Sequence, residues 1–419
     1  MSFSSAALLG GLRRLGAAYP RQYWLLMTGQ LINTIGMGFV WPFLNIYLHD
    51  ELGLALSTVT MLPIIEQSVS LFTTLGAGSF TDRHGRKKLM GFSLAAVATL
   101  YVLMSSASGW LAFAVLLGLR GFFVPLYRVS ADAMVADLIT DEDRRLPAYS
   151  LLRTVNNAGV AIGPVLGGFV AAVSYRASFL TAAGAMYTFA LLTLLLMQET
   201  LPQRPARDSA AAGPGASPAP AAGYRRIFGD SLFMLAVLAF AFNGMGSALP
   251  FQMLGVYTTD QLGLSEALLG WIIAVNAVMV VLFQVPVANR VRRYNSLKVL
   301  ATGALFYAAG IGSMSLGRSA STFAVSMAVL TVGELLIAPT FTSFAVNLAP
   351  AHMRGRYMSI YWIGWSFSRG IGPAIAGRTY EAVAPVAIWY LGAMWNLMAA
   401  GLFASLAPAF RRRQTRPKV

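Results

Sequence analysis

Long apolar runs alternate with short polar breaks along nearly the whole chain. Six runs fall at 22–48, 57–80, 88–107, 110–137, 146–173 and 177–198, and six more at 230–257, 265–288, 297–317, 320–348, 356–379 and 384–409. Each is near the roughly 20 residues that carry a helix across a hydrocarbon core. Lipid offers no partner to an open backbone group, so such runs are expected to be helices. Between the two sets, residues 200–223 are rich in Pro, Ala and Gly with almost no bulky side chain, the composition of a flexible linker. The predicted plan is an all-α integral membrane protein: a tail at 1–21, a six-helix bundle at 22–198, a linker at 199–229, a second six-helix bundle at 230–409 and a basic tail at 410–419.

The two halves repeat. Gly36-Met37-Gly38 and Pro42 return as Gly244-Met245-Gly246 and Pro250. Tyr47-x-x-Asp50-x-Leu52-Gly53-Leu54 returns as Tyr257-x-x-Asp260-x-Leu262-Gly263-Leu264, and Ile162-Gly163-Pro164 as Ile371-Gly372-Pro373. A duplicated six-helix unit joined by a linker is a transporter plan. It places cargo near mid-membrane between the halves.

Charge sharpens the topology. The formal net charge is +15, yet only 11% of the 419 residues are charged and 57% are hydrophobic, against roughly a quarter charged in soluble domains. Of the 31 Lys and Arg, only Arg176, Arg318 and Arg378 fall in the odd-numbered links or at the run ends beside them, and Arg120, Arg128, Arg153 and Arg369 fall deep inside runs. The rest crowd the even-numbered links and both tails. This bias places both termini and the central linker in the cytoplasm and makes nucleic acid an unsuitable partner. Ala6 to Gly11 is too short an apolar core for a secretory signal, and Arg13 and Arg14 follow it rather than precede it. The absence of cysteine excludes disulfides, thiolate metal sites and thiol catalysis. The histidines, at 49, 84 and 352, make no metal-ligand spacing. No nucleophile–base pair or phosphate loop stands out, so neither an enzyme nor a cofactor is expected.

The link between the second and third runs carries the densest signal: Gly78-Ser79-Phe80-Thr81-Asp82-Arg83-His84-Gly85-Arg86-Lys87-Lys88-Leu89. Gly85 suits a backbone turn with positive φ, and Asp82 is the lone acid among bases. The stretch resembles the loop 2–3 signature of the major facilitator superfamily of transporters. The resemblance implies a twelve-helix fold in which Gly78, Asp82, Arg83, Gly85 and Arg86, with Asp137 at the end of the fourth run, form a gate that latches one conformation. In the fifth run, Gly159-x-x-x-Gly163-Pro164-x-x-Gly167-Gly168 suits close helix packing with a proline that can kink. It resembles the span 5 motif of the superfamily's drug–proton exporters, with Ser150 where that motif has its first glycine. Leu116-x-x-x-Arg120 resembles the front of a span 4 motif linked to proton transfer, without its following Gln-Gly.

Acids inside apolar runs are the candidate chemistry. Glu66 and Arg120 both fall near mid-membrane, and Glu334 sits in Gly333-Glu334-Leu335-Leu336-Ile337-Ala338-Pro339. Burial disfavours a charged carboxylate, so such an acid can trade a proton or attract a lipophilic cation, and competition between the two is an exchange mechanism. Asp132 lies four residues after Arg128, a spacing that favours a static ion pair. An Arg at the depth of Arg120 needs a carboxylate or an aqueous cavity. Arg153 and Arg369 either neutralise these acids or bind an anionic cargo. Asn33 and the aromatics Trp41, Trp271, Tyr361 and Trp362 are among candidate lining residues.

The expected function is proton-coupled export of amphipathic, cationic drug-like molecules by alternating access across a bacterial inner membrane. Small molecules, protons and the lipid bilayer would be its partners, and it would act as a monomer driven by the proton gradient. An anionic or zwitterionic metabolite or lipid is the alternative cargo. A receptor or scaffold on the same plan is the remaining class.

Overall fold

The computed structural model describes residues 19–201, 227–291, 293–349 and 354–414. Most of the expected linker and both chain ends lie outside the described residues, as do the side chains of Arg144, Arg145 and Arg153. Helices of 18 residues or more succeed one another: α1 (Arg21–Gly38), α2 (Leu62–His84), α3 (Arg86–Met104), α4 (Trp110–Leu138), α5 (Glu142–Ala171) and α6 (Tyr175–Leu196), then α7 (Ser231–Gln252), α8 (Glu266–Val291), α9 (Ser296–Ser313), α10 (Ala320–Leu348), α11 (Arg354–Ala382) and α12 (Ala387–Gln414). Each apolar run falls on one of them.

Among the described residues, nine helices are long and apolar enough to cross a membrane: α3 to α10 and α12. α1, α2 and α11 are not among them and are less apolar. They carry Gln30 and Asn33, Glu66 and Gln67, and Ser366, Ser368 and Arg369. A polar helix in lipid must turn those groups inward, which makes these three the natural walls of an internal space.

The first and seventh runs are broken, unlike the continuous spans expected at 22–48 and 230–257. α1 stops at Gly38, and the chain turns through 39–43 before one helical turn, Leu44–Ile46, and a π-turn, Tyr47–Glu51. α7 stops at Gln252 and restarts as Leu254–Leu262. Pro42 and Pro250, a repeated pair, sit at these breaks, where a missing N–H favours interruption.

Packing repeats as the sequence does. In the first half α1 lies against α5 and α6, α2 against α4, and α3 against α4 and α6. In the second, α7 lies against α11 and α12, α8 against α10, and α9 against α10 and α12. The halves meet through α5 with α8 and α2 with α11, which are symmetry mates under the repeat.

The glycine motif of α5 serves both kinds of contact. A Cβ on Gly163 would lie 2.8 Å from the Ile35 carbonyl oxygen and 3.0 Å from Gly38 Cα; one on Gly167 would lie 2.7 Å from Phe39 Cα. Gly159 abuts Thr34 in the same way. These glycines seat α5 on α1 within one half. Gly168 faces the other half, where a Cβ would lie 2.9 Å from Ala267 Cα, and Pro164 packs against Gly270 of α8. The motif therefore fixes one bundle and its seam with the other at once.

Candidate functional site

A cavity of about 270 Å³ lies between the halves, walled mainly by α2, α4 and the broken end of α1, with Tyr101 of α3, Gln252 of α7 and Arg369 of α11 closing it. Glu66, Arg120 and Arg128 all face it. Glu66 is ion-paired with Arg120 Nη1. α4 reaches this close because it carries Gly121, whose missing Cβ would fall 3.2 Å from the Glu66 carbonyl carbon. The Arg120 guanidinium also lies 5.8 Å from the Tyr101 ring centre, in cation–π range. Glu66 thus has a charged partner across the helix pair, where helical spacing along its own helix showed none. The expected carboxylate for Arg120 is Glu66.

Two atoms of this wall, Arg120 Nε and Gln252 Oε1, are buried with no hydrogen-bond partner in the protein. They leave one donor and one acceptor for a guest. Arg369 lies over the Trp365 ring at 5.2 Å and accepts a bond from Gln252 Nε2 at its carbonyl, 3.1 Å. Among the lining side chains the cations Arg120, Arg128 and Arg369 face the single acid Glu66.

Other candidates fall elsewhere. Glu334 is not in this wall; Asn276 Nδ2 of α8 donates to it at 2.7 Å and to Thr331 Oγ1 at 3.0 Å. Each half therefore ties its second helix to its fourth through one carboxylate, Glu66–Arg120 in the first and Asn276–Glu334 in the second. Asp132 and Arg128 form no ion pair within 4.0 Å among the described residues, contrary to the spacing argument. Both are exposed, and water competes successfully with an exposed pair of long side chains. Asn33 is buried and bonded to Tyr127 (3.3 Å), in a network where Tyr127 also donates to Gln30 and Gln30 to Asn156 (2.7 Å); it braces α1, α4 and α5 rather than facing the cavity. Trp41 reaches the cavity, whereas Trp271 and Trp362 are exposed without lining it and Tyr361 is buried.

At the basic end, Gly85 has φ +89° and turns the chain from α2 into α3. Arg86 Nη2 pairs with Asp82 at 3.0 Å and Arg86 Nε with Asp137 at 3.0 Å, the trio the motif implied. Arg83 is exposed, and nothing lies within 4 Å of where a Cβ on Gly78 would stand. Sequence reasoning missed Glu199, whose carboxylate accepts from the backbone N–H of Arg86 (2.8 Å) and Lys87 (3.2 Å). It caps the positive end of α3. An acid just beyond the sixth run was its only signal.

The opposite end is bolted across the halves. His49 pairs with Asp260 at 3.3 Å, Thr259 donates to Asp50 at 3.2 Å and Tyr175 to Glu266 at 2.6 Å. The Ser57 N–H donates to Glu381 at 3.0 Å, and Asn45 to the Gln252 carbonyl at 2.7 Å. Partial desolvation first, then the neighbouring Asp260 carboxylate, push the Asp50 carboxyl above its ordinary range, although its side chain still reaches water. The fold brings His49, Asp50 and Asp260 together, a trio of metal-ligand type that sequence spacing could not reveal.

Two pseudo-symmetric halves around a polar cavity, joined at one end by bonds between them, form the plan of a membrane transporter. The chain belongs to the Major Facilitator Superfamily, whose model matches residues 26–373 and again 238–418. It is 25% identical to the uncharacterized MFS-type transporter YhjO of Bacillus subtilis (strain 168), over 94% of this chain and 95% of the relative. It is 29% identical to a Na(+), Li(+), K(+)/H(+) antiporter of Planococcus maritimus, over 91% and 92%. With the multidrug resistance protein MdtH of Salmonella newport (strain SL254) it shares 25% identity over 89% and 86%. The fold matches a crystal structure of the peptide transporter POT in complex with sulfate, with TM-score 0.76 and 16% identity over 94% of this chain and 95% of that one.

Proposed function

We propose that this protein exports small amphipathic molecules across a bacterial inner membrane in exchange for protons, with both termini in the cytoplasm. One observation carries the reading: Glu66, in the wall of the cavity between the bundles, is held by Arg120. A proton on Glu66 releases Arg120; loss of that proton restores the pair. The occupancy of one carboxylate is thereby linked to the charge presented to cargo. Relatives that include a multidrug resistance protein and a cation/proton antiporter support exchange and export.

The cavity walls favour a second reading of the cargo. Arg120, Arg128 and Arg369 outnumber Glu66, which suits an anionic or zwitterionic molecule better than a cationic one. The sign of proton movement separates the two. A cation that settles on the protonated form of Glu66 displaces that proton into solution. An anion that draws Arg120 away leaves Glu66 unpaired, and the carboxylate takes up a proton. The test adds a lipophilic quaternary cation, or an amphipathic carboxylate, to purified protein in weak buffer with a pH dye. Release with the cation supports export by exchange; uptake with the carboxylate supports the second reading. Proton movement that survives Glu66→Gln defeats both.

A further inference from the structure

The repeated corner at the basic end is finished differently in the two halves. Where α3 begins beside the end of α6, Glu199 supplies a protein carboxylate to the Arg86 and Lys87 N–H groups. Where α9 begins beside the end of α12, the helix start is capped by the neutral Asn295, which accepts from the Leu297 and Lys298 N–H groups at 3.0 and 3.2 Å. The corner then opens into a cavity of about 690 Å³. Lys298, Arg411 and Arg412 ring it, over a floor of small side chains, Ala301, Ala404 and Ala407. A neighbouring cavity of about 540 Å³ shares Arg411 and adds Arg293. No acid lines either one among the described residues.

We infer that this corner binds an anionic phospholipid of the leaflet on the basic side. The cations meet the headgroup phosphate, and an acyl chain lies along the alanine floor. Three features select a lipid over a soluble anion. The charges sit where a headgroup lies, at the ends of two helices apolar enough to cross a membrane. The floor lacks bulky side chains, so a chain can lie against both helices. It also leads toward large apolar groups that already face outward, Leu305 and Phe306 on α9 and Leu397 and Met398 on α12. Basic pockets between spanning helices recognise anionic headgroups, and each basic group near such a surface is worth severalfold in affinity. The corner does not depend on what the central cavity carries.

The test compares retention of phosphatidylglycerol and phosphatidylcholine by the full-length protein, using native mass spectrometry and thermal stability in detergent. Phosphatidylglycerol is expected to be retained at least roughly tenfold better. Replacing Lys298, Arg411 and Arg412 by Gln should erase that preference, and Lys at both arginines should keep most of it. Ala404→Leu, which fills the floor and keeps every charge, should lower phosphatidylglycerol retention without altering Glu66-dependent proton movement. Equal retention of the two lipids by the wild-type protein would overturn the inference. So would an unchanged preference in the Gln variant, or protection by glycerol phosphate equal to that by the lipid.

Discussion

Neutralising Glu66 is the most informative single change. The Glu66 and Arg120 side chains are 18% and 12% exposed, so water does little to screen them. Removing one member of a buried ion pair costs about 3–5 kcal/mol, because the other charge is left buried and unpaired. Glu66→Gln keeps the shape and one hydrogen bond to Arg120. Its cost should therefore fall at the lower end, about 3 kcal/mol. Removing both charges together, as in Glu66→Gln with Arg120→Met, avoids the orphan cation and is about neutral by the same reasoning. The double variant should thus be more stable than Glu66→Gln alone, and its loss should fall well short of the sum of the two single losses. Denaturation of the four proteins in one detergent, followed by tryptophan fluorescence, closes the cycle. Transport in vesicles should be lost in both Glu66 variants, whatever their stability. Simple addition of the single effects, or unchanged proton exchange in Glu66→Gln, would refute the pairing as the coupling element.

Three further outcomes follow from the same geometry. Gly163→Val forces a branched side chain against the Ile35 carbonyl and Gly38; overpacking of this kind costs about 1–3 kcal/mol or more and should show as a lower melting temperature, while Gly184→Ala, which meets nothing within 4 Å, should not. Gly78→Leu has open space here, so it should fold normally yet lose transport if the basic end closes over this position, as cysteine-accessibility at both ends can report. At the bolted end, burial and Asp260 raise the Asp50 carboxyl in the closed seam, so closure takes up protons. The Asp50 contribution to closure should be fullest below the ordinary Asp range and weaken as pH rises through the raised value, opposite in sign to that of Glu381, whose carboxyl the Ser57 N–H lowers; comparison of Asp50→Asn with the parent in a distance measurement across the seam should isolate the Asp50 component.

The apolar runs and the internal repeat were enough to read the helices and their division into halves, because membrane burial writes its demand into long stretches of chain. The trio Asp82, Arg86 and Asp137 was also legible, through resemblance. What escaped was decided between distant positions. The pairing of Glu66 with Arg120 depends on Gly121 admitting α2, which no spacing along either helix reveals. Glu199 reaches Arg86 across more than half a bundle. The breaks at Gly38 and Gln252 lie in apolar sequence, and only the contact of α1 with α5 and the repeated prolines explain them. The Arg128–Asp132 spacing was right for a pair, but exposure to water removed the incentive.

That α1, α2 and α11 carry more polar groups than the other long helices also bears on how the chain is made. The first two leave the ribosome before any helix that can shield them. Glu66 must wait for the arrival of Arg120 on α4, and Gln30 for Tyr127 on that same helix. Insertion of the first half is therefore a joint event, completed only when its fourth helix has emerged. A truncation after α2 should be extracted and degraded, whereas one after α6 leaves every early debt of polarity settled.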